Sequence, residues 1–425
     1  MRVPRRRTWL GIAGVLLVCL AARAPGADLS AANAPQLIKR GEYLARVGNC
    51  IGCHTADPAR PFAGGRPIAT RFGTIYTPNI TSDPETGIGR WTDAEFLRAM
   101  HEGIGRDGKR LYPAFPYVEY TKLTDQDVLA IRAYLGAVAP VRFTPPRNDL
   151  AFPFSLRWPM VFWNLLNFTE GRFVPDPKAS AERNRGAYLV EGLAHCGKCH
   201  TPRTVTHGLN ASERLGGGTV AGWHAYNITP DKNAGIGAWS DADLTAYLST
   251  GAAPGRANAA GPMAEVVSNG TQYLTQEDLR SVAAYLRSLP AVSDGATRPR
   301  ANFDPPARDD VAALRGSPAG ALDGARLFIG NCASCHGWNG EGAGPYPPLR
   351  GNSASGANPA DNLALVILNG VTRSTQRASV FMPAFAGQLS DAQIAAISNY
   401  VTNRFGNRQA SMSAEQVGKL RATPQ

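Results

Sequence analysis

Cys50-Ile51-Gly52-Cys53-His54 recurs along this 425-residue chain as Cys196-Gly197-Lys198-Cys199-His200 and as Cys332-Ala333-Ser334-Cys335-His336. In a C-x-x-C-H segment the two thiols stand about one turn apart. Both can form thioethers with the vinyl groups of one haem, and the next residue offers an imidazole to iron. The motifs therefore read as three covalent haem c sites, with Cys50, Cys53, Cys196, Cys199, Cys332 and Cys335 as attachment points and His54, His200 and His336 as proximal iron ligands. C-x-x-C alone also suits zinc or thiol redox chemistry. The histidine following directly in all three copies, with no second C-x-x-C beside any of them, favours haem.

The surroundings of the motifs repeat too. Gly41-Glu42-Tyr43-Leu44, Gly186-Ala187-Tyr188-Leu189 and Gly324-Ala325-Arg326-Leu327-Phe328 each place a glycine and an aromatic ahead of the first cysteine. Residues 34–49, with Pro35 near the start and apolar Leu37, Ile38, Tyr43, Leu44 and Val47, read as a helix. The small residue suits close crossing of a second helix. That partner begins at Leu123-Thr124, Leu274-Thr275 and Leu389-Ser390, each with a capping hydroxyl, and Gln393 completes a capping box in the third copy. Each unit is thus a leading helix, a motif, a loop region and a closing helix. Asn79-Ile80-Thr81 with Trp91-Thr92-Asp93 matches Asn227-Ile228-Thr229 with Trp239-Ser240-Asp241 at an offset of 148 residues, and the third unit lacks this insert. Asn-x-Thr can accept a glycan; its repeated position beside a haem motif favours a pocket role. Trp91 and Trp239 are either propionate donors or plain core.

Length fits about three domains of roughly 100 residues. We place them at 34–139, 178–290 and 319–406, joined by 140–177 and 291–318 and followed by a polar, loosely ordered tail, 407–425. Residues 1–27 have the plan of a secretory signal: a basic start, an apolar run from Leu10 to Leu20, then small residues. The run falls short of the ~20 residues of a membrane span. The mature chain is therefore expected to be exported, the alternative being a retained anchor. Of seven cysteines, only Cys19 lies outside the motifs.

The formal charge of +11 includes five arginines of that leader (Arg2, Arg5, Arg6, Arg7 and Arg23), leaving +6 (11 − 5). Six propionates from three haems would largely cancel the remainder. Basic composition thus gives no reason to expect a nucleic-acid partner, and no basic patch interleaved with aromatics is present.

The few methionines are the natural distal ligands, since His/Met ligation raises a haem potential. Met382, in Phe381-Met382-Pro383, lies seven residues before Leu389, and Met263, in Gly261-Pro262-Met263, lies eleven before Leu274. Both are expected to face iron. The first unit breaks the pattern: Phe115 stands opposite Met263, and phenylalanine cannot bind iron. Either that haem is five-coordinate or water-ligated, or another residue reaches over. Met100 and His101 are the nearest candidates, Met160 a remote one. His195, His207 and His224 carry no motif and read as surface or satisfied histidines. The glycine-rich run 337–345 is expected to bring a backbone carbonyl to the His336 ring.

Residues 140–177 are rich in proline and aromatics, among them Phe152, Phe154, Trp158, Phe162 and Trp163. They pack either on the flanking domains or against a partner subunit or membrane surface.

Nearly the whole mature chain resembles the tri-haem cytochrome c subunits of membrane-associated bacterial dehydrogenases: quinoprotein alcohol dehydrogenases and flavin-dependent gluconate, sorbitol and fructose dehydrogenases. The likeness rests on the three haem motifs, Tyr76-Thr77-Pro78-Asn79-Ile80-Thr81, the segment from Gly108 to Tyr117 and the segment from Phe381 to Ser390. It implies a mainly α fold of three tandem class I cytochrome c-type domains, each a small helical bundle around one covalently bound haem. It implies a catalytic dehydrogenase partner (quinoprotein, flavoprotein or molybdoprotein), a location in the periplasm, and transfer of electrons to ubiquinone or a terminal oxidase at the outer face of the bacterial inner membrane. Many relatives have methionine where this chain has Phe115. No dinucleotide fingerprint is present, and the dehydrogenation chemistry is expected to belong to another polypeptide. The competing readings are a free-standing periplasmic electron shuttle and a haem enzyme acting through an open first haem.

Overall fold

The computed structural model describes residues 34–297, 299, 323–342, 346–357, 359–406 and 411–424. The expected leader, residues 301–318 of the expected second linker, and Gly344 and Pro345 lie outside the described residues.

The described chain is mainly helical. Three leading helices (Ala34–Val47, Ala181–Tyr188 and Gly324–Asn331) cross three closing helices (Asp125–Ala137, Gln276–Arg287 and Asp391–Phe405). The closing helices start where the sequence predicts. Thr124 and Thr275 accept the backbone N–H three residues on, and Ser390 forms the capping box with Gln393. At each crossing the glycine is a steric requirement. A Cβ on Gly41 would lie 1.8 Å from the Ala130 carbonyl oxygen, one on Gly186 1.9 Å from that of Ser281, and one on Gly324 2.3 Å from that of Ala396. Tyr134, Tyr285 and Tyr400, four residues further along the closing helices, press on the same three points. The backbones meet because nothing projects between them.

The three crossing pairs are distributed over two cores. One joins Leu44, Val47, Phe96, Ile131 and Leu135 of the first segment to Leu189, Leu193, Leu279, Val282 and Leu286 of the second. The other gathers Phe328, Leu363, Ile367, Ile394, Val401 and Phe405, with Trp223 reaching in from the second segment. Each such buried side chain contributes about 1.5–3 kcal/mol, so the first two segments stabilise one another.

The repeated insert forms a capped helix in each copy: Thr92 with Glu95 opens Asp93–Glu102, and Ser240 with Asp243 opens Asp241–Thr250. Among the described residues four small antiparallel sheets, absent from the sequence reading, line the loop side. Pro67–Thr70, Gly73–Tyr76 and Asp149–Leu150 form one; three hairpins form the others, the last pairing Val371–Ser374 with Ser379–Met382.

The aromatic connection is pinned at a few points and exposed elsewhere. Asn164, on the helix Met160–Asn167, accepts the Tyr117 hydroxyl at 2.6 Å, and the Trp163 indole donates to the Thr206 carbonyl at 2.8 Å. Phe152 (81% exposed), Trp158, Phe162, Leu165 (80%) and Leu166 face outward. Among the described residues no helix is long and apolar enough to cross a membrane.

The expected loose tail needs correction. Residues 414–421 form a helix capped by Ser413 and Gln416, with Val417 fully buried and Arg421 paired to Asp391 at 2.7 Å. Only Val417, Leu420 and the preceding Met412 carry its apolar side, too few to stand out in a polar stretch.

Candidate haem sites

Each motif folds as one short helical turn: Cys50–Cys53, Gly197–His200 and Ala333–His336. In all three the histidine N–H bonds the carbonyl of the first cysteine at 3.0 Å. That closes the turn and sets thiols and imidazole on one wall.

Each imidazole is then fixed by a backbone carbonyl. His54 Nδ1 meets Pro78 O at 2.8 Å, His200 Nδ1 meets Tyr226 O at 2.6 Å, and His336 Nδ1 meets Pro347 O at 3.0 Å. A ring that donates from Nδ1 carries its lone pair on Nε2, the tautomer iron requires. Pro78 and Tyr226 directly precede the repeated Asn-Ile-Thr. Asn79 Oδ1 accepts the Thr81 N–H and hydroxyl at 2.9 and 2.7 Å, and Asn227 Oδ1 accepts those of Thr229 at 2.8 and 2.7 Å. These turns aim the preceding carbonyl at the ring. Asn79 is 3% exposed and gives its amide to Val141 and Phe143 carbonyls, while Asn227 gives its own to Val292. The pocket reading of the repeat holds, and a glycan has no access. In the third site the acceptor, Pro347, lies just beyond the glycine-rich run expected to provide it.

The six cysteines are unpaired with one another. Burial, with the neighbouring motif cysteine, pushes the Cys50 and Cys196 thiols up to about 12, and likewise Cys332. Burial also raises Cys53 and Cys199. Redox-active C-x-x-C pairs need the opposite shift. Among the described residues no group of three or more His, Cys, Asp or Glu side chains is arranged to hold a metal ion, as a zinc centre would need.

All three motifs open on one continuous cavity of about 2340 Å³, more than twice the ~1,000 Å³ of a large ligand pocket. Nine lysines and arginines border it against two carboxylates, Asp107 and Glu265. An excess of seven positive charges is what haem propionates would neutralise. Tautomer, apolar volume and charge all fit haem.

Met263, Met382, Met100, Phe115 and Met160 border this cavity, as do Trp91 and Trp239; His101 does not. Met263 sits on the helix Gly261–Asn269 rather than in a loop, and Met382 ends its strand. His101 is buried beside Asp125 at 3.7 Å, and burial pushes its imidazole down to about 4. His195 packs on the Tyr120 ring, His207 meets Arg71 at 3.0 Å, and His224 meets Asp361 at 3.0 Å.

Two residues escaped the sequence reading. Arg66 donates to the Gly52 carbonyl at 2.5 Å and Arg203 to the Lys198 carbonyl at 2.6 Å, the same position within two motifs. They lie at different distances from their motifs, so no spacing reveals them.

Helical segments carrying C-x-x-C-H turns with Nδ1-anchored histidines define a c-type cytochrome. The Cytochrome c family model matches residues 38–139 and 321–404. The chain is 41% identical over 403 residues to the fructose dehydrogenase cytochrome subunit of Gluconobacter japonicus, covering 91% of this chain and 82% of that one. It is 38% identical over 408 residues to the cytochrome c subunit of the quinone alcohol dehydrogenase of Gluconobacter oxydans (91% and 82%). It is 37% identical over 407 residues to the gluconate 2-dehydrogenase cytochrome c subunit of Pantoea cypripedii (91% and 89%). The chain belongs to the family of dehydrogenase cytochrome c subunits.

Proposed function

We propose that this chain is a tri-haem c-type cytochrome of the periplasm, associated with the outer face of the inner membrane. It takes electrons from the catalytic subunit of a dehydrogenase and passes them through three haems to ubiquinone or a terminal oxidase. The observation that carries this reading is the opening of three carbonyl-anchored histidines onto one cavity. Each bound haem supplies a one-electron couple at its iron. Cys50 and Cys53, Cys196 and Cys199, and Cys332 and Cys335 hold the three haems; His54, His200 and His336 ligate them; Met263 and Met382 take the distal positions of the second and third. At the first site, where Phe115 stands, Met100 is the candidate nearer in sequence and Met160 the remoter one; both border the cavity.

The units at 34–139, 178–290 and 319–406 each attach one haem, and the substrate chemistry resides on the partner. Within the aromatic stretch 152–168, Phe152, Trp158 and Leu165 are exposed and stand off the cavity wall, which supports a docked subunit over a free-standing shuttle that would bury them.

Purification from the native membrane tests the assignment. A dehydrogenase subunit should accompany the chain, and its substrate should reduce all the haems. Isolation of the chain alone, with haems that no dehydrogenase reduces, would count against it.

A further inference from the structure

Arg373 belongs to the strand Val371–Ser374 of the third segment, yet its side chain is lodged in the second. It is 4% exposed and donates Nη1 to the Ala259 carbonyl at 2.7 Å. A Cβ on Gly251, which caps the helix Asp241–Thr250, would lie 2.4 Å from Arg373 Cδ and 2.5 Å from its Nε. At Gly103, the corresponding cap of the first segment, that space is filled by the first segment's own Tyr117 ring, 2.6 Å from the same point. The second segment thus receives a cation from its neighbour where the first uses an internal aromatic.

This guanidinium lacks a counter-ion. Its Nε has no hydrogen-bond partner, and no carboxylate lies within ion-pair distance among the described residues. The acids on the two neighbouring helices are engaged elsewhere, Asp243 by Arg256 at 3.2 Å and Glu265 by Arg66 at 2.9 Å. Arginine cannot shed its charge in a protein, and a buried charge without a partner costs several kcal/mol. Burial holds the Arg373 guanidinium below its ordinary value. Arg373 also borders the shared cavity, on the hairpin in which Val371 pairs with Met382. The carbonyl it bonds lies four residues before Met263.

We propose that Arg373 binds a propionate of the haem attached at Cys196 and Cys199, as a positioning residue lent by the third segment to the second. This rests on the haem reading above. The pairing supplies the missing anion, holds the second haem's edge against the third segment, and keeps a positive charge beside that haem. A nearby cation disfavours the oxidised, more positive iron, so the contact raises that haem's potential.

Redox titration of the holoprotein, with the haems resolved optically, tests this through Arg373→Gln and Arg373→Lys. The Gln variant should move one midpoint downward by about tenfold in the oxidised-to-reduced ratio, about 59 mV for one electron. The Lys variant should keep more than half of the wild-type effect. Met263→Leu marks the second haem, and Arg373→Gln should move that same midpoint. Three unchanged midpoints in a folded, fully haem-loaded Gln variant would overturn the inference while leaving the haem reading intact. Equal shifts in the Lys and Gln variants would assign Arg373 to packing alone and overturn it too. If the Gln variant does not fold, resonance Raman of Arg373→Lys decides: a changed propionate bending mode supports the contact, an unchanged one removes it. Absence of haem from the wild-type chain would fail the earlier reading instead.

Discussion

Tyr43 donates its hydroxyl to Asp278 at 2.5 Å, and Tyr188 donates its own to Asp127 at 2.6 Å. Each tyrosine lies in one segment and each aspartate in the other, so the bonds are exchanged about a local two-fold relation. Arg40 holds Asp127 at 2.8 Å and Arg185 holds Asp278 at 2.8 Å from within their own segments. The first two segments are latched twice, at equivalent positions.

Burial, then the Asp278 bond and charge, pushes the Tyr43 hydroxyl up to about 12 from its ordinary 10. Its contribution to stability is therefore present below pH 10 and lost as pH rises through about 12. Burial alone would raise the Asp278 carboxyl, but hydrogen bonds from Arg185 and Tyr43 win and hold it low. That contribution is present above the ordinary 3.8 and lost as pH falls through the depressed value. Tyr43→Phe should cost about 1.5 kcal/mol in denaturant unfolding at neutral pH. Asp278→Asn, which strands Arg185, should cost about 3 kcal/mol and flatten the acid side of the stability profile. An Asp278→Asn variant as stable as wild type would show the latch to be idle.

The glycine crossings allow one segment to be disturbed by itself. Gly324→Ala places a methyl 2.3 Å from the Ala396 carbonyl, an overpacking that should cost about 3 kcal/mol. The third segment has its own core, so haem content should fall from three toward two, with the first two sites kept. Loss of all three haems would mean that the cores are not separable.

Asn79→Ala removes the turn that aims Pro78 O at His54. Unfilled buried partners should cost about 2 kcal/mol. The electron paramagnetic resonance of one haem should change while the others stay. Asn79→Asp keeps Oδ1 and should fall between; identical spectra in all three proteins would deny Asn79 an orienting role.

The outward aromatic face gives the reverse pattern. Trp158 and Leu165 are 64% and 80% exposed and stand off the cavity wall, so the double change to serine should leave the melting temperature within a degree or two, as surface substitutions do. Co-purification with the proposed dehydrogenase catalytic subunit should drop. Undiminished recovery would place the docking surface elsewhere.

What could be read from residues alone was whatever repeats. The motifs, the glycine crossings and the capping hydroxyls recur at fixed offsets, and each has a local mechanism. Arg66, Arg203 and Arg373 obey no shared spacing, because the segments that bring them to the cavity differ in length. The hairpins escaped for a related reason: strands of two to four residues carry too few side chains for alternation to show. Asn79 and Asn227 stand between these cases. Their repetition marked them, but the aim of the carbonyl before each depends on the fold.

Haem stoichiometry tests the central claim most directly. Pyridine haemochrome assay of the purified holoprotein, after acid–acetone extraction to strip non-covalent haem, should give three equivalents of haem c per chain. Two or fewer, or haem lost to the extraction, would contradict it.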